Sequence, residues 1–124
     1  MNGGPTRAEL GRFAEQAVIE WLAARGLDVL GTNVRVGRLE VDIVCREGDV
    51  VVLVEVRTRG VGSWQRALDS IDAAKRERLR RAGRALWQQR FAREPWAERM
   101  RFDAAAVRFE PDGGVHIEYV KAAF

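Results

Sequence analysis

Apolar residues near the start of the chain recur at helical spacing. The stripe consists of Leu10, Phe13, Ala14, Ala17, Val18, Trp21 and Leu22. Spacings of three and four residues place these side chains on one face of a helix. Thr6 and Glu9 have the spacing of a capping box, and Gly26 is a typical residue after a helix C-terminus. The pattern therefore predicts an amphipathic helix over residues 7–25.

The following segment has the short apolar and alternating patterns of strands. Extended segments are predicted at residues 27–30, 33–36, 39–46 and 50–57. The last two alternate between apolar and polar residues, which is typical of half-buried strands. Gly37-Arg38 is a candidate turn, and Gly48-Asp49 fits a two-residue hairpin loop. The sequence therefore predicts a central hairpin.

The second half of the chain predicts a long helix and two more strands. A helix over residues 71–91 would bury Ile71, Ala74, Leu79, Ala82, Leu86 and Phe91, with Asp69, Ser70 or Asp72 as its cap. A short helical segment with Trp64 and Leu68 would precede it. Strands are predicted at residues 100–109 and 115–120. The order α-β-β-β-α-β-β favours an α/β domain, with a mixed sheet and a helix on each side.

The register of the central hairpin follows from its loop. If Gly48 and Asp49 form the loop, Ile43 faces Val54 across the pair. On that register Val41, Ile43, Val54 and Val56 would form one apolar face.

The other face of the hairpin brings carboxylates together. Asp42 is opposite Glu55, and Glu40 is opposite Arg57. Directly opposed like charges destabilise a sheet, so the pair requires a cation or a raised pKa. One positive charge on Arg57 does not neutralise the three carboxylates of Glu40, Asp42 and Glu55. A bound divalent metal would neutralise the remaining negative charge. The alternative is that Arg57 bridges the acids by itself.

Composition limits the kind of site. The 124 residues fit one domain, which we take as residues 1–124 with a core at about 7–120. One cysteine, Cys45, and one histidine, His116, exclude disulfide frameworks and Cys- or His-rich metal sites. A metal would therefore sit on carboxylates, which favours magnesium or manganese. Asp103 is expected to brace Arg57 or another cation.

Hydropathy and charge indicate the compartment and the partner. No apolar stretch is as long as a membrane span, and we expect a cytoplasmic protein with no membrane partner. Between Lys75 and Arg101 there are ten basic and three acidic residues, a net charge of +7 within a chain of +3. A basic helix favours nucleic acid, and its candidate phosphate contacts are Arg76, Arg80, Arg81 and Arg84. The alternative is a solvated arginine-rich helix face.

Several segments together resemble a known family. They are Gly11 and Glu15, Asn33, GRLEVDIV at residues 37–44, LVEVRTR at residues 53–59, Lys75, and RFD at residues 101–103. In order and spacing they are similar to the YraN-type family of small uncharacterised bacterial proteins, over about residues 7–120. That family resembles the PD-(D/E)xK nucleases, with a restriction-endonuclease-like three-layer fold, and in particular archaeal-type Holliday-junction resolvases.

The resemblance implies metal-dependent hydrolysis of phosphodiester bonds in DNA, on branched or single-stranded substrates in recombination or repair. Asp42 and Glu55 would hold Mg²⁺ or Mn²⁺, and Glu15 would add a ligand directly or through water. Arg57 occupies the position of the motif lysine; it can stabilise charge but cannot act as a titrating base. Lys75 is a candidate for the missing ammonium; the alternative is that it contacts phosphate from the helix surface. The resolvase relatives also imply a homodimer.

Two other functions stay open on the same residues. Because Arg57 replaces the motif lysine, the chain could be a catalytically impaired nucleic-acid-binding module. The arginine-rich helix could instead bind an acidic protein, which would make the chain an interaction adaptor. Turnover on DNA distinguishes the nuclease from the binding module. Failure to bind any nucleic acid at low salt favours the interaction adaptor.

Overall fold

The structure is a computed structural model that describes residues 4–59 and 71–124. Its elements are α1 (Arg7–Ala24), β1 (Asp28–Val36), β2 (Leu39–Glu47), β3 (Val50–Arg59), α2 (Ala73–Leu86), β4 (Arg99–Phe109) and β5 (Val115–Val120). A π-helical turn, Trp87–Phe91, continues α2. The helical segment predicted around Trp64 and Leu68 lies outside the described residues.

The first helix forms as the sequence predicts. Thr6 accepts a hydrogen bond from the Glu9 amide, and the Glu9 carboxylate accepts one from the Thr6 amide. These reciprocal bonds satisfy two amides that the helix itself leaves without partners. Ala14, Val18 and Leu22 are buried. Phe13, which also belongs to the predicted stripe, is 51% exposed and lies outside this packed face.

The strands form one mixed sheet in the order β1-β2-β3-β4-β5. All neighbouring strands are antiparallel except β3 and β4, which are parallel and joined through α2. One core cluster packs between the sheet and α1, and a second packs between the sheet and α2. The predicted α/β fold with a helix on each side of a mixed sheet is therefore confirmed, in three layers.

The central strand β3 is buried on both faces. Val50, Val52 and Val54 belong to the cluster under α1, whereas Val51 and Leu53 belong to the cluster under α2. A strand covered on both sides has no polar face, which explains its nearly continuous apolar sequence. The site residues that follow in β3 therefore start from a rigid, dry element.

The second helix begins two residues later than predicted and, with the π-helical turn that continues it, ends at Phe91 as predicted. Asp72 caps α2 by accepting a hydrogen bond from the Lys75 amide. Leu79, Ala82 and Leu86 are buried as predicted, but Ala74 is exposed. The prediction was wrong there because the inward face is set by positions 79, 82 and 86, and Ala74 is off that face. In the part of the chain that the structure describes, no helix is long and apolar enough to span a membrane.

Gly83 lets α2 lie close to β4. A Cβ atom at Gly83 would meet the Phe102 ring at 2.6 Å and the Met100 sulfur at 3.0 Å. We expect Gly83→Ala to lower the free energy of unfolding by about 1–3 kcal/mol, because overpacking forces neighbours to move. Urea denaturation measures this change.

Gly11 in α1 is the matched control for this substitution. A Cβ atom there would meet nothing within 4 Å. Gly11→Ala is therefore expected to leave stability unchanged or to raise it by up to about 1 kcal/mol, from helix propensity alone. Equal stability of Gly83→Ala and wild type would contradict the close packing of α2 on Phe102.

Candidate functional site

The central hairpin has the predicted register. The paired residues run from Glu47 opposite Val50 at the loop to Ile43 opposite Val54. Beyond this last pair, the Val56 amide donates a hydrogen bond to Oδ2 of Asp42 at 2.8 Å. The Asp42 carboxylate thus accepts the bond from β3 at the point where the backbone pairing of the two strands ends.

The alternation of β2 breaks at Asp42, contrary to prediction. Ile43 packs under α1, but Val41 belongs to the cluster under α2. In β1, the residue opposite Asp42 is Asn33, between the pairs Thr32–Ile43 and Val34–Val41. Asn33 has a φ of 50°, a left-handed conformation that interrupts the alternation of a strand. Val41 therefore does not share the apolar face of Ile43 and Val54 that was predicted for it. The irregularity lies at the carboxylate site.

Glu55 is the centre of a compact charge cluster. Its side chain is 6% exposed, and its Oε2 lies 3.3 Å from Nη2 of Arg57 and 3.6 Å from Nζ of Lys75. Burial and the neighbouring charge of Asp42 raise the pKa of Glu55 to about 7, against the opposing effect of the two cations. Burial also raises the pKa of Asp42. The two carboxyl groups interact directly, and this geometry suits a shared proton or a cation in its place.

Lys75 reaches this cluster from the first turn of α2. The cap at Asp72 positions that turn, and the Lys75 side chain extends to Glu55. Arg57 faces the same carboxylate, but its Nε atom is buried and has no hydrogen-bond partner among the described residues. Among residues 4–59 and 71–124, the site therefore contains one cation from the sheet and one from the helix, and one guanidinium donor has no partner there.

Glu15 lies beside the pair without joining it. Asn33 donates a hydrogen bond from Nδ2 to Oε1 of Glu15 at 3.1 Å. Burial first, and then the charge of Asp42, raise the pKa of Glu15. Asn33 had no predicted role at the site; the signal was that asparagine is one of the few residues that readily adopt positive φ.

The donor chemistry fits a hard cation held by two carboxylates. Across residues 4–59 and 71–124, no three His, Cys, Asp or Glu side chains gather closely enough to form a metal-binding group. Mg²⁺ commonly keeps several waters and needs only one or two protein carboxylates. Asp42 and Glu55 satisfy that requirement, and Glu15 is left for contact through water.

The raised pKa of Glu55 predicts a specific pH dependence of stability in the metal-free protein. The folded state binds this proton up to about pH 7, whereas the ordinary value is 4.5. Ionisation of Glu55 therefore lowers the free energy of unfolding. This loss is absent below about pH 4.5 and reaches its full size above about pH 7. Relative to Glu55→Gln, the wild type should lose stability as pH rises through this window. Urea denaturation in EDTA from pH 4 to 8.5 measures the difference.

Glu77→Gln is the control, since Glu77 is an exposed acid on α2, outside the buried cluster around Glu55. The difference in the free energy of unfolding between Glu77→Gln and wild type should change little over the same pH range. A wild type that gains stability relative to Glu55→Gln as pH rises through this window would contradict the raised pKa.

The four predicted phosphate contacts in α2 do not lie on one surface. Arg80 and Arg84 line a groove of about 340 Å³ against β4. Arg81 lines a second groove, of about 520 Å³, together with Arg38 from the turn between β1 and β2. Arg76 is half-buried and donates from Nε to the Ile71 carbonyl at 2.9 Å. Helical spacing therefore brings only Arg80 and Arg84 to one groove, whereas Arg81 lies in the other groove and Arg76 is held by the Ile71 carbonyl.

Asp103 braces a cation, which is Arg101 and not Arg57. It is fully buried and accepts hydrogen bonds from the Arg101 guanidinium, the Tyr119 hydroxyl and the Ala122 amide. This second charge cluster lies on the α1 side of the sheet, whereas Glu55 faces α2. It therefore belongs to the framework of the sheet.

Comparison with known proteins gives one consistent family. The profile described as "Uncharacterised protein family UPF0102" matches residues 14–107. A UPF0102 protein of Sorangium cellulosum is 57% identical over 118 residues, which are 95% of this chain and 82% of that protein. UPF0102 proteins of Pseudomonas syringae pv. syringae and Desulfitobacterium hafniense (strain Y51) are 37% and 39% identical, covering 96% and 87% of this chain and 95% and 88% of theirs.

Proposed function

We propose that this chain, which belongs to the uncharacterised protein family UPF0102, is a metal-dependent endonuclease that hydrolyses phosphodiester bonds in DNA. The observation that carries the proposal is the buried Glu55 carboxylate, which lies 3.6 Å from Lys75 and 3.3 Å from Arg57, next to the Asp42 carboxylate that the Val56 amide holds in place. A site that places like charges together at a cost in stability is typical of function. The resemblance to PD-(D/E)xK nucleases supports the same chemistry.

Asp42 and Glu55 would hold Mg²⁺ or Mn²⁺ between them. When bound, such an ion polarises the phosphate and lowers the pKa of an attacking water. The Val56 amide bond to Asp42 keeps one carboxylate oxygen in place, and the buried strand β3 positions Glu55. The carboxylates would therefore be oriented before the substrate arrives, which reduces the reorganisation needed for catalysis.

Lys75 would supply the ammonium that the motif lysine normally provides. Its Nζ lies 3.6 Å from Glu55, on the same carboxylate oxygen as Arg57. From there the ammonium could hold the attacking water and stabilise charge on the phosphate oxygens. Arg57, always protonated, would add positive charge and donate from its unused Nε. Glu15 would act through water.

The test is a cleavage assay on single-stranded, duplex, flap and four-way-junction DNA with Mg²⁺, Mn²⁺ or EDTA. We expect cutting in the two metals, none in EDTA, and none from Asp42→Asn or Glu55→Gln. Cutting by both variants at the wild-type rate would overturn the proposal. Light scattering of the same samples tests the homodimer that the resolvase resemblance implies.

A second function is supported by Arg57 at the motif position and by the donor set of only two carboxylates. A catalytically impaired nucleic-acid-binding module would bind DNA in a salt-dependent way with no turnover in either metal. Gain of cleavage in Arg57→Lys from an inactive wild type would favour this second function. Turnover by the wild type would exclude it.

A further inference from the structure

The groove between α2 and β4 combines cations with an aromatic ring. Its lining residues are Arg80, Gly83, Arg84, Trp87, Gln88, Met100 and Phe102, around about 340 Å³. Gly83 creates the close approach of helix and strand that forms the floor. The π-helical turn that begins at Trp87 ends the groove, and such turns are frequent at functional sites.

The groove chemistry matches a nucleotide whose base is unpaired. Two guanidinium groups on one side can bind phosphate, and the Trp87 ring and the apolar floor can accept a base face. Arg84 has one ion pair among the described residues, with Glu77 at 3.9 Å, and both side chains are largely exposed. Such a pair contributes little, so a phosphate can replace the carboxylate.

The groove also lies on the same side of the sheet as the carboxylate site. Phe102 lines it, and Phe102 also borders the small cavity that contains Glu55 and Leu79. Lys75 and Arg84 are nine positions apart on one helix, which corresponds to about 13 Å of helix rise. Because nine positions also correspond to about half a turn around the helix axis, a strand that joins the two sites would pass around the side of α2 that faces β4 as well as along the helix.

The second groove lacks the same combination. Arg38 and Arg81 flank a surface of Val36, Gly37, Leu39, Ala82, Ala85 and Gln89, and none of the described residues that line it is aromatic. It could contact a phosphate backbone but offers no ring for stacking. The difference favours the groove at Trp87 for a strand with unpaired bases.

We propose that the α2–β4 groove binds an unpaired nucleotide of a DNA strand, with the base against Trp87 and its phosphates on Arg80 and Arg84. Because bases inside a duplex are stacked on their neighbours, duplex DNA cannot occupy it in this way. The inference rests on the proposed function in one respect, since it assigns single-stranded ends or flaps as the substrate of the carboxylate site.

The test is binding of labelled oligo-dT and of a blunt duplex by fluorescence anisotropy in EDTA. Arg80→Gln with Arg84→Gln should weaken oligo-dT binding about tenfold and make the log–log salt slope shallower by about 1.4. Trp87→Leu should weaken it about tenfold, and Trp87→Phe should retain most of the affinity because it keeps an aromatic face. Duplex binding should change much less in all three.

Two further variants control for charge and for folding. Arg93→Gln with Arg99→Gln removes the same charge from exposed positions outside the groove, and should change oligo-dT affinity less than about twofold. Lysine at both Arg80 and Arg84 should restore most of the affinity. Thermal melting of every variant verifies that the fold is intact.

The outcomes separate this inference from the proposed function. Unchanged oligo-dT binding in the Arg80/Arg84 and Trp87→Leu variants overturns the inference, even where the wild type cuts DNA. The inference is also overturned if the double variant Arg38→Gln with Arg81→Gln loses oligo-dT affinity and the Arg80/Arg84 double variant does not. Selective loss in the groove variants supports it, and absence of cleavage in any metal would then count against the nuclease alone.

Discussion

Lys75→Met is expected to lower the rate of metal-dependent cleavage by about 10²–10³-fold, the usual effect of losing a group that stabilises transition-state charge. The Lys75 ammonium is 3.6 Å from Glu55, and no other lysine lies in the described part of α2. Arg57 cannot replace it fully, since a planar guanidinium has a different geometry from the compact point charge of an ammonium. Single-turnover cleavage of a flap substrate at saturating Mg²⁺ measures the effect.

Arg78→Met is the matched control for this prediction. Arg78 lies one turn further along α2 and is exposed, so its replacement changes the charge of the helix by the same amount. It should reduce single-turnover cleavage less than about threefold. Equal losses in the two variants would mean that Lys75 contributes only general attraction for DNA, which adding salt would mimic.

Asp103→Ala is expected to lower the free energy of unfolding by about 3–5 kcal/mol, because it removes the buried acceptor of four hydrogen bonds and leaves the Arg101 guanidinium with Glu47 alone among the described residues. Asp103 is fully buried and accepts two hydrogen bonds from Arg101, at 2.8 and 3.0 Å. It also accepts bonds from Tyr119 and from the Ala122 amide, which hold β5 and the segment after it. Urea denaturation at pH 7 measures the change.

Tyr119→Phe tests the same cluster with a smaller change. It removes one donor to Asp103 and keeps the ring that stacks on Trp21 at 4.5 Å. The expected loss is about 1.5–3 kcal/mol, as for one hydrogen bond to a charged group. A loss below about 1 kcal/mol for Asp103→Ala would contradict a framework role for the cluster.

Local patterns were sufficient to predict the elements and the hairpin. The capping box at Thr6 starts α1, and the two-residue loop at Gly48 sets the register of β2 and β3. That register alone is enough to bring Asp42 and Glu55 together. These features depend on neighbours in sequence, so residue type and spacing were enough to predict them.

Only the tertiary structure decided which distant groups meet. The left-handed conformation of Asn33 accompanies the placement of Val41 on the α2 face of the sheet. The alternation of apolar and polar residues does not predict such an irregularity. The rotation of α2 over the sheet brought Lys75 to Glu55 and placed Arg80 and Arg81 in different grooves. Such contacts depend on how whole elements pack across many residues. The sequence by itself therefore determined the elements and the carboxylate pair, while packing decided the cations around that pair.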